Sequence, residues 1–213
     1  MYIPRERLGE HVLRIQIRSA GEKDLPESAL VFPCAVSTTN WPFPTMPTAA
    51  TREKKQQKRW NEIASDPLLT ELPYKVETNS RGQLILSPHK AAHADAQGDI
   101  IALLSEYAKG GLARPEFPVV TRKGTKVVDV AWMTADRREQ MEETGDPPTL
   151  APEICIEVLS ESNDWDEMEK KRTLYRDAGA EEVWIVTEEG QVRFFAGEEL
   201  GGSTLIPDFP AQL

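Results

Sequence analysis

The sequence predicts an α/β domain with a mixed β-sheet flanked by helices, preceded by an N-terminal extension. Two observations support this fold class. Short apolar strands joined by tight turns alternate along the chain with stretches of helical periodicity. The second half of the chain also reads as strand, helix and strand, a unit whose two strands lie parallel, whereas the hairpins add antiparallel strands. A sheet that contains both kinds of connection is mixed.

The 213 residues, 39% hydrophobic and 28% charged, fit one globular domain with an appendage. No apolar stretch approaches the length of a membrane span, and the first residues lack the apolar core of a signal peptide. The two cysteines provide no disulfide framework. We therefore expect a cytoplasmic protein with no membrane partner. The net charge of −10 argues against a surface that coats nucleic acid, but it leaves a local DNA contact open.

Residues 1–48 differ from the rest of the chain. Leu13, Ile15 and Ile17 alternate with polar residues, as in a half-buried strand, and a proline-rich linker follows. This extension is either an accessory hairpin or a poorly ordered segment, and both interpretations stay open. The predicted domain proper spans residues 49–213.

The first elements of the domain follow from its capping and turn residues. Thr51 is a candidate N-cap for a helix that runs to about Ser65. Strands over 74–78 and 83–87 are predicted to form a hairpin around an Asn-Ser-Arg-Gly turn, and Pro88 ends the second strand. A helix over 91–109 follows and ends at a pair of glycines.

The second half begins with strands over 113–121 and 126–132 on either side of a Lys-Gly turn. The polar stretch 135–150 ends in two prolines and is predicted to be a loop. The remaining elements are a strand over 153–159, a helix over 164–178, and strands over 183–187 and 191–196.

Two carboxylates lie where apolar residues belong. Asp129 stands within KVVDVAW and Glu157 within ICIEVL, and such runs are typical of strands that are covered on both faces. A buried carboxylate is costly unless it is paired, hydrogen-bonded or bound to a metal. A strand-end acid that reaches solvent or a backbone amide explains either residue alone equally well. Two such acids on successive core strands favour a shared site.

Lys171 is the third ionisable residue in an apolar position. On the helix over 164–178 it shares a face with Met168 and Tyr175, the face expected to pack on the sheet. It either extends past its neighbours to water or points at the two acids. Paired carboxylates bind Mg²⁺, and a nearby lysine can position water or stabilise negative charge. Without a metal, the two acids should repel each other and recruit a cation.

His93 and Gln97 add polar groups to the helix over 91–109. They share one stripe of that helix, with apolar residues further along it. They either flank a site at the sheet edge or, in the case of His93, make a local hydrogen bond at the helix end. The sequence leaves both readings open.

Five segments between Tyr74 and Phe195 follow one another as GQLILSP, HADAQGDIIALL, VVDVAW, APEICIEVLSESN and KRTLYRDAGAEEVWIV. Together they resemble the Uma-two family of predicted endonucleases, in the PD-(D/E)XK, restriction-endonuclease-like superfamily. The resemblance implies a restriction-endonuclease-like core and Mg²⁺-dependent cleavage of DNA phosphodiester bonds, with Mn²⁺ as an alternative ion.

The resemblance also implies roles for individual residues. Asp129 and Glu157 match the catalytic acids that hold the metal. Lys171 matches a catalytic lysine that has moved from the strand to the following helix. His93 matches an auxiliary catalytic residue, and Gln97 a supporting one.

Two of the departures from the family pattern bear directly on catalysis. Val128 stands where proline is usual, and Leu159 occupies the usual position of the strand-borne lysine. The alternative is therefore a catalytically inactive interaction module that keeps the nuclease fold. Since many nucleases of this type act as dimers, a homodimer also stays open.

Overall fold

The computed structural model describes residues 48–88, 91–160 and 164–213. Within these ranges, helices α1–α5 span Ala49–Ala64, Pro67–Thr70, Ala91–Tyr107, Ala135–Glu143 and Trp165–Asp177. Strands β1–β8 span Tyr74–Thr78, Leu84–Pro88, Leu112–Thr121, Gly124–Met133, Ile154–Val158, Glu182–Val186, Val192–Ala196 and Glu198–Leu200. None of the described helices combines the length and apolar character needed to cross a membrane. Residues 1–47 lie outside the described ranges, so the division of the chain at residue 48 stays a prediction.

The central sheet is mixed, as the sequence predicts. Its six strands lie in the order β3-β4-β5-β6-β7-β8. Strands β5 and β6 are parallel, with Ile156 opposite Trp184, and the neighbouring ladders are antiparallel. The parallel pair is joined through α5, because a strand that follows a parallel partner needs a helical crossover. The predicted α/β fold with helices flanking a mixed sheet is confirmed.

Both faces of the sheet are covered, which explains why its central strands are apolar throughout. On one face, Ile100 of α3 belongs to a core cluster with Ile156 and Trp184. On the other face, Met141 of α4 and Tyr175 of α5 pack with the residues of a second cluster. A charged side chain on β4 or β5 is therefore covered by the packed helices and has little contact with water.

The β1–β2 hairpin is a separate two-stranded sheet that packs on β4. Thr78 at the end of β1 accepts a hydrogen bond on Oγ1 from the Thr125 backbone N–H at 2.8 Å. Gly124 beside it has φ +113°, and a Cβ there would overlap the Thr78 backbone. Glycine thus lets the two backbones touch, and this contact fixes the position of the charged residues on β1.

The stretch 135–150 is not the loop that the sequence predicts, since it contains α4. Thr134 caps this helix, and its Oγ1 accepts from the Arg137 backbone N–H at 3.1 Å. Met141 is the buried residue that anchors α4 to the sheet. A helix with a single apolar anchor lacks the periodicity by which helices are recognised, so the prediction was wrong.

Other element boundaries also differ from expectation. Thr48 rather than Thr51 caps α1, and it accepts on Oγ1 from the Thr51 backbone N–H at 3.3 Å. Pro88 is the last residue of β2 rather than the residue after it. The short α2 and the edge strand β8 were not predicted.

Glu182 fixes the C-terminal segment against the sheet. It begins β6 and is 1% exposed. Its carboxylate accepts hydrogen bonds from Trp184 Nε1 at 2.7 Å, Ser203 Oγ at 2.8 Å, Thr204 N at 2.7 Å, Thr204 Oγ1 at 2.5 Å and Leu205 N at 3.2 Å. Burial would raise the pKa of Glu182, but the donors from Thr204, Trp184 and Ser203 hold it below its usual value.

Candidate metal and catalytic site

Asp129 and Glu157 lie where the pairing between β4 and β5 ends. The β4–β5 pairing ends with Val130 opposite Ile156. One further step in that register sets Asp129 opposite Glu157, and there the Val158 backbone N–H donates to Asp129 Oδ2 at 2.8 Å. Both carboxylates are 1% exposed. The parting of the strands therefore makes room for two buried acids between neighbouring strands.

Helix α5 supplies two donors to Glu157. Lys171 Nζ donates to Oε2 at 2.8 Å, and Tyr175 Oη donates to Oε1 at 2.5 Å. The two side chains lie one turn apart on the helix face that packs on the sheet, as the spacing predicts. Burial would lower the pKa of Lys171, but the charges of Glu157 and Glu77 raise it well above its usual value. Lys171 is therefore charged in the folded protein.

Asp129 receives its partners from β1 and α3. Lys75 Nζ and His93 Nε2 both contact Oδ1, the histidine at 3.0 Å. The side chain of Lys75 is 12% exposed and that of His93 is 19% exposed. Since the other oxygen accepts from the Val158 amide, each oxygen of Asp129 already has a donor.

Glu116 brings a third carboxylate to Asp129. It lies on β3, between the register pairs Pro115–Val130 and Phe117–Val128, which sets it opposite Asp129. Its φ of 49° is in the left-handed region, which is uncommon for a non-glycine residue and clusters at functional sites. Gln97 Nε2 donates to Glu116 Oε1 at 2.6 Å and holds the side chain in place. Acids from β3, β4 and β5 thus adjoin in one row across the sheet.

Glu77 links the hairpin to this row. It is buried on β1, two residues from Lys75 and so on the same strand face. It accepts from Lys126 Nζ at 3.0 Å and the Val127 backbone N–H at 3.1 Å, and Lys171 Nζ lies 3.6 Å from its Oε1. Burial would raise the pKa of Glu77, but the charges of Lys171 and Lys126 lower it to about 2.

Glu157 and Asp129 differ in their ionisation. Burial and the charge of Asp129 raise the pKa of Glu157 to about 6, against the opposing effect of Lys171. Burial would also raise the pKa of Asp129, but Lys75 and His93 hold it well below its usual range. The surroundings therefore favour the ionised form of Asp129. They raise the pKa of Glu157 above that of an ordinary glutamate.

The site fits a divalent cation. His93, Glu116 and Asp129 each offer a ligand atom, and these atoms lie within 4.8 Å of one another. Carboxylate oxygens suit both Mg²⁺ and Mn²⁺, and the imidazole adds a nitrogen ligand. Glu157 adjoins this group, with its own oxygens bonded to α5. The arrangement can hold a cation beside a lysine, which is the chemistry of phosphodiester hydrolysis.

The structure brings together all the residues that the sequence singles out. Asp129, Glu157, Lys171 and His93 meet at one site, and Gln97 reaches it through Glu116. Tyr175, which core packing alone would explain, also contacts the site. The sequence leads us to expect that the bare acids recruit a cation. In the structure, Lys75 and Lys171 already place positive charge beside them.

Three site residues lie outside the sequence prediction, namely Lys75, Glu77 and Glu116. Charges that alternate with apolar residues on a hairpin, or that stand between prolines, read as ordinary surface positions. The one signal available was that Lys75 and Glu77, of opposite charge, share a strand face. Their partners are about 50 residues away in the chain: Glu77 and Lys126, for example, are 49 residues apart.

Comparisons with known proteins found one family model and a solved structure that are similar to this chain. A model of the Uma2 family, described as "Putative restriction endonuclease", matches residues 58–207. The chain is also similar to the crystal structure of a putative nuclease belonging to DUF820 from Anabaena variabilis. The identity is 19%, the TM-score is 0.48, and the match covers 57% of this chain and 71% of that one. No curated protein matches the chain.

Proposed function

Because the chain belongs to the Uma2 family of restriction-endonuclease-like proteins, we propose that it is a Mg²⁺-dependent endonuclease that hydrolyses DNA phosphodiester bonds. One observation carries the proposal: Asp129, Glu157 and Lys171, from β4, β5 and α5, meet at one buried site. Buried acids that adjoin one another are costly in a structural core and are useful in a metal site.

In the proposed site, Asp129 and Glu157 hold the metal, and Glu116 and His93 complete the ligand set. The ion would polarise the phosphodiester and lower the pKa of a bound water. Lys171 would orient the attacking water and stabilise the negative charge that develops on phosphorus-bound oxygen. His93, as an auxiliary residue, would fix the orientation of Asp129, and Gln97 would fix Glu116. Mn²⁺ would substitute for Mg²⁺ because the imidazole and the carboxylates both accept it.

The experiment that tests the proposal is a nicking assay on supercoiled DNA with the purified full chain. We expect nicking with Mg²⁺ or Mn²⁺ and none with excess chelator. Lys171→Met should lower the rate at least about 100-fold, since it removes a positive charge that stabilises the transition state. Lys170→Met is the matched control, because Lys170 is exposed on the same helix, and it should keep the parental rate.

Two results of that assay would contradict the proposal. Nicking that persists in chelator would exclude the metal, and equal rates for Lys171→Met and Lys170→Met would exclude Lys171. Circular dichroism of each variant shows whether a lost rate reflects a lost fold, because Lys171→Met also leaves Glu157 with one donor fewer.

Metal affinity should fall steeply in mild acid. The pKa of Glu157 is raised to about 6, so this ligand is ionised above that pH and protonated below it. Since a ligand must lose its proton before it binds a cation, Mn²⁺ affinity should fall about tenfold per pH unit below about pH 6. Calorimetric titration at pH 5.0, 6.0 and 7.5 measures this. In Glu157→Gln the slope should flatten, and an unchanged slope would show that another group controls it.

The alternative function is a nuclease-fold interaction module without activity. The net charge of −10 and the lysines that already neutralise the acids favour it. Calorimetry separates the two functions: Mn²⁺ binding that Asp129→Asn removes favours the enzyme, and no binding favours the module. The homodimer stays a prediction that the elution volume of the purified chain would test.

A further inference from the structure

Six buried charges at the site cancel one another without a metal ion. Three acids, Glu77, Asp129 and Glu157, face three lysines, Lys75, Lys126 and Lys171. All six side chains are no more than 12% exposed. These six charges balance one another, and Glu116 adds one more carboxylate beside Asp129. An arriving dication therefore meets positive charge as well as ligands.

The three lysines are not equivalent. Lys126 binds Glu77 and the Thr78 carbonyl oxygen, and Lys171 binds Glu157. Lys75 is the one of the three whose ammonium contacts Asp129. It reaches Asp129 from the hairpin, outside the six-stranded sheet that carries Asp129 and Glu157.

The ammonium of Lys75 and a bound cation would compete for an oxygen of Asp129. Oδ1 of Asp129 accepts from both Lys75 and His93, and Oδ2 accepts from the Val158 amide. A neutral histidine carries a lone pair on one of its two ring nitrogens, so His93 can serve as a ligand. A charged lysine has three donors and no lone pair, so it cannot join the ligand set. A cation that binds Oδ1 would therefore displace Lys75.

We propose that Lys75 is a built-in counter-ion that occupies the cation position at Asp129 in the metal-free protein and sets the affinity of the site for its metal. The inference rests on the proposed function, because it takes Asp129 as a ligand. Lys75 keeps the acids neutralised while no ion is bound. The same contact makes metal binding an exchange of one cation for another, which weakens it.

Calorimetric titration of Mn²⁺ into the full chain tests this exchange. Lys75→Gln keeps a hydrogen-bond donor beside Asp129 but removes the charge, and we expect its Kd to be at least about tenfold lower than that of the parent. Lys126→Gln is the matched control, because it removes one charge from the same cluster without touching Asp129. Its Kd should change no more than about threefold.

Each result of the titration either supports or overturns the inference. Equal Kd values for Lys75→Gln and the parent would overturn the inference. An equal fall in Kd in both glutamine variants would also overturn it, because the effect would then come from the total charge of the cluster and not from exchange at Asp129. If the parent binds Mn²⁺ and Asp129→Asn does not, the proposed metal site is supported independently of the result for Lys75→Gln. If neither the parent nor Lys75→Gln binds Mn²⁺, the metal site and the inference fall together.

A second measurement covers the case in which Lys75→Gln does not fold. In the parental protein with ¹³C-labelled lysine, Mg²⁺ should shift the side-chain ¹³Cε signal of Lys75 and leave that of Lys126 in place. A Lys75 signal that does not move at saturating Mg²⁺ would overturn the exchange.

Discussion

Asp129→Asn is expected to lower the rate of DNA nicking at least about 1,000-fold, which corresponds to about 4 kcal/mol of transition-state stabilisation. Asparagine has nearly the same shape and can still accept from the Val158 amide. What it lacks is the negative charge that the proposed metal needs. The fold should survive, because Lys75 and His93, which contact Asp129, lie at the partly exposed side of the site.

The matched control is Asp99→Asn, which removes the same charge from an exposed position on α3. It should nick DNA at the parental rate and bind Mn²⁺ with the parental Kd. If Asp129→Asn retained more than about a tenth of the parental rate, Asp129 would not be the metal ligand proposed here, whatever the chemistry of the remaining residues.

Glu182→Ala should lower the free energy of unfolding by about 3–5 kcal/mol, since it leaves several buried donors without an acceptor. Trp184 and Ser203 lose their partner, and so do the backbone and hydroxyl of Thr204. The pKa of Glu182 is lowered on folding, so its stabilising effect is present above the unfolded value of 4.5 and is lost as the pH falls through the folded one. Urea unfolding at pH 7 measures the difference.

Glu188→Ala is the control for this prediction. Glu188 is exposed in the turn after β6, and its replacement should change the free energy of unfolding by no more than about 0.5 kcal/mol. Similar urea midpoints for the two variants would show that water replaces the hydrogen bonds of Glu182 and that the C-terminal segment contributes little to stability.

The sequence predicts part of the site because burial and residue type conflict there. A carboxylate in an apolar strand, as at Asp129 and Glu157, or a lysine on an apolar helix face, as at Lys171, is visible without coordinates. The meeting of Glu157 with Lys171 follows from the strand–helix–strand unit, whose elements are close in the chain. Asp129 joins them through the pairing of β4 with β5.

The rest of the site depends on long-range packing. Lys75 and Glu77 reach it because Gly124 and Thr78 hold the hairpin on β4, and no local pattern encodes that contact. Glu116 reaches it through a left-handed backbone conformation, which the sequence does not indicate because the residue is not a glycine. Helix α4 was missed because Met141 is its one buried residue, so it shows no apolar periodicity.

The hydrogen bond from the Val158 amide to Asp129 has a practical consequence for following the protein in solution. A strand amide normally senses only the carbonyl of its neighbouring strand, but this one donates to a titratable side chain. Its proton and nitrogen resonances should therefore register any change in the charge around Asp129. A single backbone signal, assigned once, would serve as an internal reporter of occupancy that requires neither substrate nor label on a side chain.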